Sequence, residues 1–99
     1  MFKVFAMYRK PDDVDAFLSH YYDVHIPLVE KIPGLHKAVV NRITAAPMGG
    51  EPVYFLVVEL QFPDKETFGK AMASPENQAA GQDLATFAKD LVDVMIAEA

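Results

Sequence analysis

His25 is the residue of this chain best suited to chemistry. An imidazole has a reference pKa of about 6.5 and can take or give a proton at neutral pH. It sits in Tyr21-Tyr22-Asp23-Val24-His25-Ile26-Pro27-Leu28-Val29-Glu30-Lys31-Ile32-Pro33-Gly34-Leu35. Counting back from Ile32 at helical spacing, Leu28, His25, Tyr21, Leu18 (with Phe17 beside it) and Val14 share one face. That face turns inward, so His25 is expected to point at the core. Burial there lowers an imidazole pKa and keeps it neutral, competent as a base. Pro27 has no N–H to donate and its ring clashes with the preceding turn, so the Asp23 carbonyl loses its partner and the helix kinks around His25. Two roles stay open. His25 is either a packed histidine satisfied by a carbonyl or a water, or it lines a cavity that the kink opens.

Tyr21, Tyr22, Tyr8 and Tyr54 are the candidate lining, each a flat apolar surface with a polar tip that suits an aromatic or lactone ligand. Tyr21 lies one helical turn from His25. Leu28 shares its seam, and Phe87 lies on the inner face of a second helix. Ordinary core or interface packing is the competing role for each tyrosine. Asp23, two positions from His25, faces another way and belongs at the surface. Glu59 is the one acid inside the third strand. It is either a second acid–base group or, more simply, the ion-pair partner of Arg42 on the neighbouring strand. His20 and His36 are expected half-exposed and without a role.

Other chemistries find little support. The three histidines fall on different faces with no helical zinc spacing, so no metal site is expected. Gly49-Gly50 follows a strand but opens no helix, which argues against a phosphate loop. There is no G-x-S-x-G elbow and no cysteine, so neither a serine elbow nor thiol catalysis, a disulfide or a thiolate metal site is available. No cofactor is expected. The lack of cysteine suits a reducing cytoplasm.

The elements that must position His25 follow from local pattern. Phe2 to Tyr8 is a strand by alternation. Pro11-Asp12-Asp13 breaks it, and Asp12 is the expected N-cap of a helix to about Lys31, which Pro33-Gly34 ends. Leu35 to Thr44 and Val53 to Phe62 are strands two and three. Between them, Ala45 to Pro52 holds two glycines and two prolines and is expected to be mobile, bordering the pocket or a dimer seam. Asp64 caps a second helix through Phe68 and Met72. Ser74-Pro75-Glu76 restarts it, and Ala80, Leu84, Phe87 and Ala88 form its inner face. Val92 to Ala97 is the last strand.

Ninety-nine residues make one domain spanning 1–99. The net charge of −5 gives no basic footprint for nucleic acid and is repelled by an anionic membrane surface. No apolar run approaches a membrane span, and no leader is expected before the first strand. Strand, helix, strand, strand, helix, strand is the ferredoxin-like βαββαβ order, α+β in class, with a four-stranded antiparallel sheet and both helices on one face. The apolar share of 52% is more than one small core can hide. The central strands, apolar on both sides from Tyr54 to Val58, are expected to be covered by a second copy. That makes a homodimer, with two sheets packed into a dimeric α+β barrel.

The stretch from Tyr21 to Leu35 resembles the signature of the EthD family, a dimeric α+β barrel group. Ser74-Pro75-Glu76-Asn77-Gln78-Ala79-Ala80, with Asp83-Leu84 and Phe87, resembles its second-helix signature. The resemblance covers nearly the whole chain in order. It implies a homodimer, a pocket between the first helix and the sheet, and His25 at the family's pocket position. The family takes its name from a component of ethyl tert-butyl ether degradation. Similar domains include a methylmuconolactone isomerase and dehydratases or decarboxylases of aromatic polyketides. Other barrel proteins bind haem, which would make His25 an axial ligand, but no propionate clamp is visible. The expectation is a homodimer that binds a small apolar, aromatic or lactone-like molecule. It would act as a cofactor-free enzyme of degradative or secondary metabolism, with His25 moving a proton in an isomerisation, elimination or oxygenation. The alternative is a non-catalytic carrier or accessory protein serving a separate oxygenase. A second polar group converging on His25 marks the enzyme; His25 as the only polar group marks the carrier.

Overall fold

In a computed structural model describing residues 1–99, the elements run β1 (Phe2–Tyr8), α1 (Val14–His20), a π-helical turn (Tyr21–His25), α2 (Ile26–Glu30), β2 (Lys37–Arg42), β3 (Leu56–Phe62), α3 (Lys65–Met72), α4 (Pro75–Phe87) and β4 (Val92–Glu98). All pairings are antiparallel, in the spatial order β2-β3-β1-β4. This is the ferredoxin-like sheet expected from the element order.

The caps explain the helix starts. Asp13, not Asp12, begins α1: its carboxylate accepts from the Ala16 N–H at 3.0 Å. Asp64 accepts from the Thr67 N–H at 2.7 Å and starts α3. Ser74 serves two helices at once. Its hydroxyl donates to the Ala71 carbonyl at 2.6 Å, closing α3, and accepts from the Asn77 N–H at 3.1 Å, opening α4. Gly34 ends the first helical run with φ +80°, and a Cβ there would collide with Thr67 Cγ2. Gly34→Ala combines left-handed backbone strain with a clash against α3. It is expected to cost about 2 kcal/mol or more, read as a lowered midpoint in urea at unchanged slope.

The sheet is open. β2 and β4 are its edges, and it does not close into a barrel, contrary to the expectation from sequence. The physical reason lies in β3. The strand begins at Leu56, so Tyr54 and Phe55 precede it, and from there burial alternates. Leu56, Val58, Leu60 and Phe62 face the helices and are buried; Val57, Glu59 and Gln61 share the other face. Register sets Lys3, Phe5 and Met7 of β1 and Lys37, Val39 and Asn41 of β2 opposite those three. The outer face is therefore mixed, with polar groups among its apolar ones, and it tolerates water. Glu59 pairs with Lys3 at 3.3 Å and accepts from Gln61 at 2.6 Å. Arg42, its expected partner, lies at the far end of β2 opposite Leu56, with its guanidinium 5.7 Å from the Phe55 ring centre.

β4 is the exception to good coverage. Val94 and Ile96 register with Ala6 and Val4 on the helix side, yet they are 51% and 61% exposed; Met95, on the other face, is 54% exposed. No helix is long and apolar enough to cross a membrane.

Candidate active site

The π-helical turn decides which side chains reach the interior. The Ile26 N–H bonds to the Tyr21 carbonyl, five residues back. This wider turn takes about one extra residue and directly precedes Pro27, whose missing N–H it helps the helix absorb. It also resets the phase. Phe17, Tyr21, His25 and Val29, each four apart, are all buried, and Ile32 continues the face. Leu28 is half-buried, packed against the edge of the core, while Val29 takes the fully buried place. Leu28 lines a shallow hollow with Lys31, Pro75 and Glu76.

His25 is 5% exposed, and a carboxylate from α4 meets it. Its Nδ1 lies 3.0 Å from Asp83 Oδ2, and Nε2 of His20 lies 2.8 Å and 3.1 Å from the two Asp83 oxygens. An ionised carboxylate only accepts, so both ring nitrogens donate. That fixes the neutral His25 as the Nδ1–H tautomer and leaves the Nε2 lone pair free. Nε2 has no partner within the chain. No fully enclosed side-chain nitrogen or oxygen lacks a hydrogen bond, so Nε2 is not sealed in the interior, and His25 is one of the residues that line a cavity. The carboxylate stands between the two rings, and the three residues do not converge on a metal position.

Burial pushes the His25 pKa below its ordinary 6.5, and the Asp83 carboxylate opposes that shift. The fold thus favours the neutral ring. Above pH 6.5 this adds nothing to stability. As pH falls through 6.5 the unfolded chain takes a proton that the folded chain refuses, and stability declines until the folded pKa is passed. Glu59, Asp64 and Asp93 are held below 4.5, 3.8 and 3.8, so their contributions fade only at lower pH. Urea denaturation from pH 7.5 to 5 should show the decline, and His25→Gln should remove the part due to this ring.

The cavity holds about 200 Å³ between the sheet, α2 and α4. Val4, Leu60, Val29, Ala80 and Leu84 form most of its wall, and Val94 stands at its exposed edge. Tyr8 lines it as well. Burial, and after it Asp83, pushes the Tyr8 hydroxyl pKa above the ordinary range. Tyr21 is buried behind His25, their ring centres 5.6 Å apart, and its pKa is raised chiefly by burial. Phe87 lies 5.1 Å from the His25 ring and 4.5 Å from that of His20. So Tyr8, Tyr21 and Phe87 gather around His25. Tyr22 does not; it is 45% exposed and meets only the edge of the cluster through Tyr21. Tyr54 is elsewhere, donating to Asp93 at 2.7 Å beside the Arg9–Asp93 ion pair. It lines a separate polar cleft of about 330 Å³ with Lys10, Arg42, Glu51 and Pro52. The loop from Ala45 to Pro52 borders that cleft, not the His25 cavity. No histidine lines the larger cleft, whereas His25 lines the smaller one.

His20 is a partner of Asp83 and not a bystander, and Asp83 itself escaped the sequence-based site. Its signal was present: Asp83 stands three residues after Ala80 and four before Phe87, on the inner face of α4. Asp23 is exposed, as its position on the helix predicts, and His36 is exposed too.

A family model described as the EthD domain matches residues 9–90, which takes in the π-helical turn, His25 and Asp83. The chain belongs to the EthD family. An uncharacterised 11.0 kDa protein of the thcB-thcC intergenic region of Rhodococcus erythropolis is 34% identical to this EthD chain, over 99% of it and 94% of the relative. The crystal structure of an EthD family protein from Bacillus halodurans is 41% identical with TM-score 0.94, covering 100% of this chain and 98% of the other. A dimeric ferredoxin-like protein of unknown function from Thermobifida fusca, 17% identical, shares the fold at TM-score 0.70 over 99% of this chain and 90% of that one. Within this EthD domain no lysine or arginine lines the His25 cavity to meet a haem's propionates, so the axial-ligand role of His25 has no support in the geometry.

Proposed function

We propose that this EthD protein is a cofactor-free enzyme that binds a small, mostly apolar molecule in the His25 cavity and moves a proton from or within it. The reaction would be an isomerisation, an elimination or an oxygenation that begins with proton abstraction. The observation that carries this is the second polar group at His25. With Asp83 accepting from Nδ1–H, the imidazole would be a neutral base whose Nε2 lone pair is left for the cavity, an arrangement that packing alone does not require. Abstraction makes an imidazolium whose Nδ1–H then faces a carboxylate, so charge develops where an opposite charge already stands. Tyr8, its hydroxyl kept protonated by burial, can donate to an oxyanion formed on the substrate.

The non-catalytic carrier is the alternative. Native mass spectrometry of co-purified ligand, followed by incubation of that compound with fresh protein, separates the two. Conversion to a compound of different mass or retention supports the enzyme, and recovery of the unchanged compound supports the carrier.

We further propose a homodimer. Val94, Met95 and Ile96 leave apolar surface on an edge strand of a small domain, and the Thermobifida fusca protein shows that the fold occurs in dimers. Light scattering at micromolar concentration should give twice the 11.0 kDa chain mass; a stable monomer would remove this part.

A further inference from the structure

We propose that the His25 cavity selects a neutral, single-ring molecule that presents an acidic O–H, a phenol in chemical class, and turns away organic anions and fused-ring molecules. This rests on the proton-transfer role of His25 and adds what the site accepts.

Size comes first. The cavity measures about 200 Å³. A dry apolar cavity of about 150 Å³ takes one benzene, whereas sites for drug-sized molecules start at about 300 Å³. One ring with one or two small substituents fits inside the His25 cavity; three fused rings would project past its exposed edge at Val94 and leave apolar surface in water.

Charge comes second. No lysine or arginine lines the cavity. The Asp83 carboxylate stands behind His25 with its side chain only 13% exposed. An entering anion would lose its water, meet no cation and face a like charge. The same field acts on Tyr8, which Asp83 helps to keep protonated.

Hydrogen bonding comes third. Neutral His25 offers Nε2, an acceptor. Asn77, also on the wall, donates from its amide nitrogen to the Met72 carbonyl at 3.1 Å, which leaves its side-chain oxygen as a further acceptor. Two acceptors, one hydroxyl that can both donate and accept (Tyr8) and no cation suit a neutral ligand that donates. A phenolic O–H does so, as a strong neutral donor to the imidazole lone pair.

The test is an amide NMR titration of the native protein with four probes: para-cresol, its methyl ether para-methylanisole, benzoate and a three-ring phenanthrol. Para-cresol should shift the Val29, Ala80 and Leu84 amides saturably. The methyl ether should bind about tenfold more weakly, for one hydrogen bond lost. Benzoate and the phenanthrol should leave those amides in place. Equal binding of the methyl ether, binding of benzoate or the phenanthrol as tight as that of para-cresol, or no saturable shift with any probe would overturn the proposal. The readout is equilibrium binding, so it fails separately from the catalytic role. Selective para-cresol binding together with unimpaired turnover by His25→Gln would end the catalytic role and leave the selection standing.

Discussion

Replacing His25 by Gln lowers turnover of the co-purified substrate by about two to four powers of ten, the usual worth of a positioned acid–base group. Gln keeps a polar side chain of similar reach and can still donate to Asp83, so the fold should survive with a modest loss of stability. It has no lone-pair nitrogen to take a proton. The quantity that moves identifies the role. A packing histidine would show lost stability and unchanged affinity. A binding histidine would show affinity weakened by about tenfold, the worth of one ordinary hydrogen bond. A base shows a fall in kcat with KM little changed.

Asp83→Asn is the second large effect. The carboxylate does three things: it accepts from Nδ1, it sets the tautomer, and it opposes the burial that lowers the His25 pKa. Asn can turn its amide nitrogen toward the ring and stabilise the other tautomer, with the proton on Nε2 and no lone pair facing the cavity. The corresponding change in a serine-protease triad costs about four powers of ten in kcat, and a loss of about two or more is expected here. The His25 pKa should fall further, because the opposing charge is gone. The acid limb of the pH–rate profile should move to lower pH with it. Asp83→Ala should also destabilise the protein, by about 1–3 kcal/mol, because the buried His25 N–H is left without an acceptor.

Much of the fold was legible because it is written in local signals. Ser74-Pro75 marks the break between α3 and α4, Asp64 caps α3, and Gly34 supplies the positive φ after the first helical run. His25 was found because it interrupts an apolar face. At Leu28 the cause of the failure is reliance on a regular period. A strict helical count put Leu28 inside, but the π-helical turn gives that place to Val29. Tyr54 to Val58 looked apolar on both faces. With the strand beginning at Leu56, Tyr54 and Phe55 drop out of its faces, the outward row is Val57, Glu59 and Gln61, and the sheet stays open. Asp83 was missed because it is 58 residues from His25. An acid on an otherwise apolar face is ambiguous until the opposite helix is in place. His20 was set aside for the same reason, its partner being 63 residues away.

The tautomer and pKa of His25 can be measured without knowing the substrate. Long-range ¹H–¹⁵N correlation NMR of the native protein at pH 7 should show a neutral ring with the proton on Nδ1 and a bare Nε2, titrating below 6.5. A proton on Nε2, or an imidazolium at pH 7, would mean that no base faces the cavity and would contradict the proposed chemistry.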